Sequence, residues 1–163
     1  MSFVPVRYLP KRLTKKDKQL YSEQLRKSRK QYKKGKYHTR KRIKSFKTKP
    51  SKHVTVAKKI YSIDKISASP LLAKKTGCSI KTLKKIVKKG QGAYFSSGSR
   101  PNQTGHSWGR ARLASSISGG KAALSDYSIL KEGCTVHSKA LRLAKTVRKK
   151  YKHTTPKTKL TSL

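Results

Sequence analysis

Three arginines, one aspartate and three aromatic rings are the side chains best suited to directed chemistry: Arg100, Arg110, Arg112, Asp126, Tyr94, Phe95 and Trp108. A guanidinium offers a planar fork of donors that suits a carboxylate, a phosphate or a set of carbonyls, where an ammonium is only a point charge. Residues 90–120 hold no lysine at all, although the chain uses lysine freely on both sides. A solvated basic face would have no reason to exclude it. The three arginines are therefore expected to be internal struts, with one of them bonded to Asp126. Arg110 and Arg112 fall on different faces of a helix, so only one of these two can serve that carboxylate. Arg100 precedes Pro101, which biases it to extended backbone, and is expected to hold carbonyls of the SSGSRPNQT turn. The rings Tyr94, Phe95 and Trp108 are of types that stack on nucleobases. In a chain this poor in large apolar groups they are expected in the core instead.

Other chemistries lack their residues. The five acids are Asp17, Glu23, Asp64, Asp126 and Glu132. They form no pair that would separate two pKa values for acid–base work. Gly119-Gly120-Lys121 is followed by Ala122, where a phosphate-binding loop needs a hydroxyl for magnesium. No Gly-x-Ser-x-Gly turn is present. Cys134-x-x-His137 with Cys78 and His106 has zinc-ligand types but scattered spacing. The expectation is a non-enzymatic protein with no metal, no cofactor and no small-molecule substrate.

Charge dominates the rest. The 163 residues contain 44 Lys and Arg against 5 Asp and Glu, a net +39. Residues 1–62 carry 22 cations and two acids; residues 91–138 carry five cations and two acids. Such self-repulsion calls for an anionic partner, and nucleic acid is the first candidate. Lys81, Lys84, Lys85 and Lys88, with Arg40, Lys41 and Arg42, are the expected polyanion contacts. No apolar run approaches the ~20 residues of a membrane span. The opening MSFVPVRYLPKR has no signal-peptide pattern, so synthesis in the cytoplasm is expected. Two cysteines make no disulfide framework, and free buried thiols are the reading that the residues support.

The elements that position these groups are helical. Thr14 and Asp17 start a helix that Gly35 can stop, with Leu13, Leu20, Tyr21, Leu25 and Tyr32 as a thin stripe that should rest on another surface. Residues 36–59 are too poor in apolar groups to bury anything, with isolated Ile43 and Phe46 suited to pockets. Residues 60–66 alternate like a short strand. Ser69-Pro70 opens a short helix ended by Gly77, and Ser79 opens a second one ended by Gly90. This hairpin resembles a helix-turn-helix, but its second helix lacks the Arg, Asn and Gln that read base edges. Ser107 can cap a helix over 108–118, and an amphipathic helix runs over 136–151. The fold class expected is mainly α, a small helical core with a Gly-rich loop and long extended basic arms. The organisation expected is a basic N-terminal arm with one helix (1–62), a small folded domain (63–135), and a C-terminal amphipathic helix with a basic tail (136–163).

Two stretches carry a resemblance. LTKKDKQLYSEQLRKSRKQYKKGKY with RIKSFKTKPSKH is the first; KTGCSIKTLKKIVKKGQGAYFSSGSRPNQTGHSWGRARLASSISGGKAALSD is the second. Together they resemble a lysine-rich family encoded by nucleocytoplasmic large DNA viruses, the giant viruses. GAYFSSGSRPNQT, a following SW, and ARLAS are its most specific part. The resemblance implies a virion setting: a minor capsid protein that bridges major and other minor capsid proteins through basic arms. The alternative is a protein that condenses or positions the viral DNA. The resemblance also makes a Cys78–Cys134 bridge an open alternative to free thiols.

Overall fold

Short polar residues set where the helices begin. Thr14 accepts from the Asp17 N–H at 3.2 Å and starts α1 (Lys15–Lys33). Asp17 puts negative charge in the first turn, where the helix dipole favours it. Gly35 ends α1 at φ +71°, and the N–H groups of Gly35 and Lys36 turn back to the carbonyls of Tyr32 and Gln31. After α2 (Lys52–Tyr61), Ser69 caps α3 (Pro70–Thr76), and α4 (Ile80–Ser96) follows. Thr104 and Ser107 exchange hydrogen bonds at 2.9 and 3.1 Å, a capping box that starts α5 (Gly105–Ile117) three residues before the expected position. Next come α6 (Ala122–Ser125), α7 (Tyr127–Gly133) and α8 (Lys139–Lys150), the last capped by Ser138. Strand β1 (Phe3–Pro5) pairs antiparallel with β2 (Leu160–Ser162). The computed structural model describes residues 2–163 and is mainly helical, with a small helical core. Among the described residues, no helix is long and apolar enough to cross a membrane.

The chain divides into two compact units. Unit 1 holds residues 2–49, Gln91–Trp108 and Lys157–Leu163; unit 2 holds Pro50–Gly90 and Gly109–Pro156. This replaces the expected succession of arm, folded middle and C-terminal helix. The reason is visible in the core of unit 1, whose buried members are Val4, Tyr8, Leu9, Leu13, Tyr21, Leu25 and Ile43. None of these segments has an apolar face broad enough alone. Pooled, each fully buried large side chain contributes about 1.5–3 kcal/mol. Tyr21 and Leu25 are thus core residues, and Ile43, an isolated apolar residue suited to a pocket, is fully buried in this one. Asn102 fixes that stretch: its side chain accepts from the Ile43 N–H at 2.7 Å and donates to the Ile43 and Phe46 carbonyls, both at 3.1 Å.

Unit 2 is built on Leu72, Leu83, Ile86, Leu113, Ile117 and Leu130, all fully buried. Residues 60–66 do not form a strand; α2 runs through Tyr61, whose hydroxyl donates to the Ile117 carbonyl. Helix α4 likewise passes through Gly90 instead of stopping there, so the glycine-rich stretch narrows to a loop at 97–104. An interior glycine costs a helix only about 1 kcal/mol. Burial of Leu83, Ile86 and Tyr94 along the same helix outweighs that. The loop does keep one glycine that its backbone demands. Gly98 has φ +123°, and a Cβ there would lie 2.8 Å from Leu25.

Cys78 and Cys134 are bonded to each other, so the thiols are not free. They face one another in an antiparallel bridge, flanked by Ser79 N–H to the Gly133 carbonyl and Thr135 N–H to the Gly77 carbonyl, both 2.9 Å. Opposed residues that do not exchange hydrogen bonds bring their side chains closest, which suits a disulfide. The crosslink joins residues 56 apart. Replacing both cysteines by serine should lower unfolding free energy by about 2–4 kcal/mol. Urea titrations of the wild type with and without reductant should show the same loss; an unchanged midpoint in both experiments would contradict it.

Candidate nucleic-acid interface

A hub of unit 1 forms around the C-terminal end of α4. The last four carbonyls of a helix have no partner within it, and the helix dipole leaves that end negative. No basic residue occupies the last turn of α4 itself. The cations come from elsewhere in the unit. Arg40, only 7% exposed, donates through Nη1 to the Tyr94 carbonyl and to Ser28 Oγ, both at 2.8 Å. Its Nη2 donates to Ser99 Oγ at 2.8 Å, and the guanidinium lies 3.8 Å from the Tyr94 ring centre. Ser28 donates to the Phe95 carbonyl at 3.2 Å, and Arg29 Nε donates to the Ser97 carbonyl at 3.0 Å. The Tyr21 hydroxyl lies 2.7 Å from the Ser99 carbonyl, and burial pushes its pKa up despite the nearby Arg40 charge. Arg40 was expected on the polyanion-facing surface. It is inside instead, because one helix-end carbonyl, two serine hydroxyls and a ring face give its charge what a carboxylate would have given.

Arg100 and Arg110 are exposed and Arg112 is half-buried, so only Arg112 is an internal strut. Arg100 takes part in the loop through its carbonyl, which accepts from Ser99 Oγ at 2.7 Å. The side-chain role foreseen for it falls to Arg29, whose Nε donates to the Ser97 carbonyl of that turn. Arg112 grips Asp126 through Nε at 2.9 Å and Nη2 at 2.8 Å. Ser116 and Lys89 complete the site at 2.7 and 3.2 Å. Burial alone would raise the Asp126 pKa; the Arg112 bonds, then Ser116 and Lys89, hold it below the usual carboxylate range. Tyr94 is fully buried, Phe95 half-buried, and Trp108 packs edge-on against Tyr8 at 5.9 Å.

The outer surface holds the remaining cations. Lys81, Lys84, Lys85 and Lys88 are all exposed along α4, and Lys41 and Arg42 are exposed beside buried Ile43. In unit 1, Arg26, Lys30 and Lys33 share a face of α1 with half-buried Arg29, whose guanidinium is already bonded to Ser2 Oγ and to the Phe3 and Ser97 carbonyls. With Ser2 and Ser96 they line an open concavity of about 360 Å³. Near the end of α1 lies a group of rings, Tyr32, Tyr37 and Phe95, of which sequence patterning did not single out Tyr37. Tyr37 is 73% exposed, with its ring 6.2 Å from Tyr32 and 5.0 Å from Phe95. The signal available for it was the Gly35 stop, which turns the chain back over the helix it has just left. Among the described residues no cluster of three or more potential metal ligands occurs, and the two cysteine sulfurs are bonded to each other.

Fold and charge together define a small basic helical protein. Residues 5–133 match the model of the family of unknown function DUF5824, and the chain belongs to that family. No curated protein and no solved structure matches it significantly.

Proposed function

We propose that this is a non-enzymatic nucleic-acid-binding protein that grips the phosphate backbone with little regard to sequence. One observation carries the reading: folding leaves the charge unneutralised. Of the 44 Lys and Arg, Arg40 alone is buried among the described residues, and the ion pairs formed there, from Lys89 and Arg112, share one acid, Asp126. A surface so one-sided repels itself and gains free energy by displacing counterions from a polyanion. The exposed lysines of α4 suit backbone contact, since ammonium groups seldom discriminate base edges as Arg, Asn and Gln do. In the virion setting that the resemblance implies, the ligand is the packaged genome.

The test is binding to duplexes of unrelated sequence across a salt series. Log K should fall linearly with log salt, losing about 10³–10⁵ in affinity between 50 and 200 mM for roughly 6–10 phosphate contacts. Alanine at Lys81, Lys84, Lys85 and Lys88 should flatten the slope by about one for each phosphate no longer neutralised. Weak binding that ignores salt would refute the proposal.

A second reading, a minor capsid protein bridging capsid subunits, is favoured by the β1–β2 ribbon. Val4 faces the core, while Phe3 and Leu160 on the other face are half-exposed or more. That apolar face suits a protein neighbour. Fractionation of nuclease-treated virions separates the two readings: a capsid protein stays with the shell, and a genome-bound protein is released with the digested DNA.

A further inference from the structure

The aromatic group at the end of α1 is arranged to do more than hold charge. A large ring exposed by 73% loses the hydrophobic gain of burial and would ordinarily be left free to move. Tyr37 is instead held between Tyr32 and Phe95, at interplanar angles of 53° and 55°. Phe95 in turn stands edge-on to buried Tyr94, 4.9 Å away at 88°. Tyr94 is clamped by Arg40, which stacks on its ring and bonds its carbonyl. The row therefore runs from the core of unit 1 to solvent, rigid at one end and open at the other. All the spacings lie within the ~4.5–7 Å range of productive ring contacts.

The surroundings are cationic. Unit 1 has 22 Lys and Arg against two acids, Asp17 and Glu23, both in the first half of α1. Asp17 accepts from the Ser45 N–H at 2.9 Å and is thereby engaged. Lys33, Lys34 and Lys36, beside Tyr32 and Tyr37 in the chain, are all exposed. An apolar protein partner would meet this ring of positive charge as a cost. An unpaired nucleic-acid strand would meet both features as gains, its bases on the rings and its phosphates on the lysines. A duplex keeps its bases stacked inside and can use only the charges.

We infer that Tyr37, with Tyr32 and Phe95, is a stacking platform for unpaired bases, giving unit 1 a preference for single-stranded over double-stranded nucleic acid. The inference rests on the nucleic-acid reading above and adds to it a preferred strand form. Stacking on an aromatic side chain tolerates any base, in keeping with sequence-tolerant binding.

Fluorescence anisotropy tests it with oligo-dT, oligo-rU and a mixed-sequence duplex, each on the order of 15 nucleotides per strand. Tyr37→Ala should weaken single-strand binding about 5- to 150-fold, leaving duplex affinity and salt slope as in the wild type. Tyr37→Phe, which keeps the ring, should restore single-strand affinity. Equal losses on dT and rU mark base stacking common to DNA and RNA; a loss confined to one still supports the platform and identifies its strand. Tight duplex binding by the wild type, with single-strand affinity unmoved by Tyr37→Ala, overturns the platform alone. An equal drop on duplex and single strand also overturns it. Wild-type protein that binds none of the three probes overturns the nucleic-acid reading itself.

Discussion

Asp126→Asn is expected to destabilise unit 2 by about 3–5 kcal/mol, a large share of a small protein's total stability. The carboxylate is fully buried and accepts from Arg112 Nε and Nη2, Ser116 Oγ and Lys89 Nζ. An amide of the same shape keeps one oxygen but loses the charge. Its NH₂ then faces donors, and the half-buried guanidinium lacks its counterion. Arg112→Lys should recover only part of the interaction, because an ammonium cannot make the two parallel bonds. The effect must depend on pH in a stated direction. Asp126 is held below the usual carboxylate range when folded, so in acid the unfolded chain binds the extra proton and stability rises with pH. The contribution is complete above the unfolded pKa of about 4 and is lost as pH falls through the folded value. Urea unfolding followed by circular dichroism should show a wide gap between wild type and Asp126→Asn at neutral pH. That gap should narrow in strong acid. A gap that stays constant into strong acid would show that the carboxylate's charge is not what stabilises the site.

Arg40→Ala should cost unit 1 about 3–4 kcal/mol. Its guanidinium makes three hydrogen bonds at 2.8 Å, and hydrogen bonds to charged groups contribute roughly 1.5–3 kcal/mol each, net of the water bonds they replace. The three bonds share one side chain and do not add in full, and the buried Nε, which finds no acceptor, offsets part of the sum. What tips the balance is the position at the C-terminus of α4, where the dipole favours a cation and the Tyr94 carbonyl would otherwise be orphaned. Arg40→Lys keeps the charge but cannot reach both Ser99 Oγ and the Ser28–Tyr94 pair, so about half the loss should remain. Arg42→Ala, two residues on and exposed, should change stability by less than about 0.5 kcal/mol. Trp108 is the only tryptophan and packs against the unit 1 core, so its fluorescence reports on this unit. An Arg40→Ala unfolding midpoint equal to that of Arg42→Ala would refute the assignment.

Local chemistry made several features legible in the amino-acid sequence. The start and stop of α1 depend on Thr14, Asp17 and Gly35, which act within one turn of themselves. The same holds for Ser69-Pro70 at α3 and for most of the amphipathic stripe of α8, although Val136, at its expected start, lies outside the helix and is exposed. The competition of Arg110 and Arg112 for one carboxylate also follows from spacing on a single helix, and the structure resolves it in favour of Arg112. Overall charge needs no fold at all. What the tertiary structure decided involves groups distant along the chain. Ser28, Arg40, Tyr94 and Ser99 meet because the orphaned carbonyls of α4 accept donors from any segment brought near, and no local pattern marks which arginine will supply them. The lysine-free stretch suggested Arg100, but the loop turns that side chain outward and uses its backbone. Gly90 has the look of a helix stop only while the packing of Tyr94 further along is unknown. Cys78 and Cys134 pair because two short backbone segments align 56 residues apart. Tyr37 shows the division most plainly. Gly35 determines that the chain reverses, but only the packed position of Phe95 decides that the ring after the turn is caught and held at the surface.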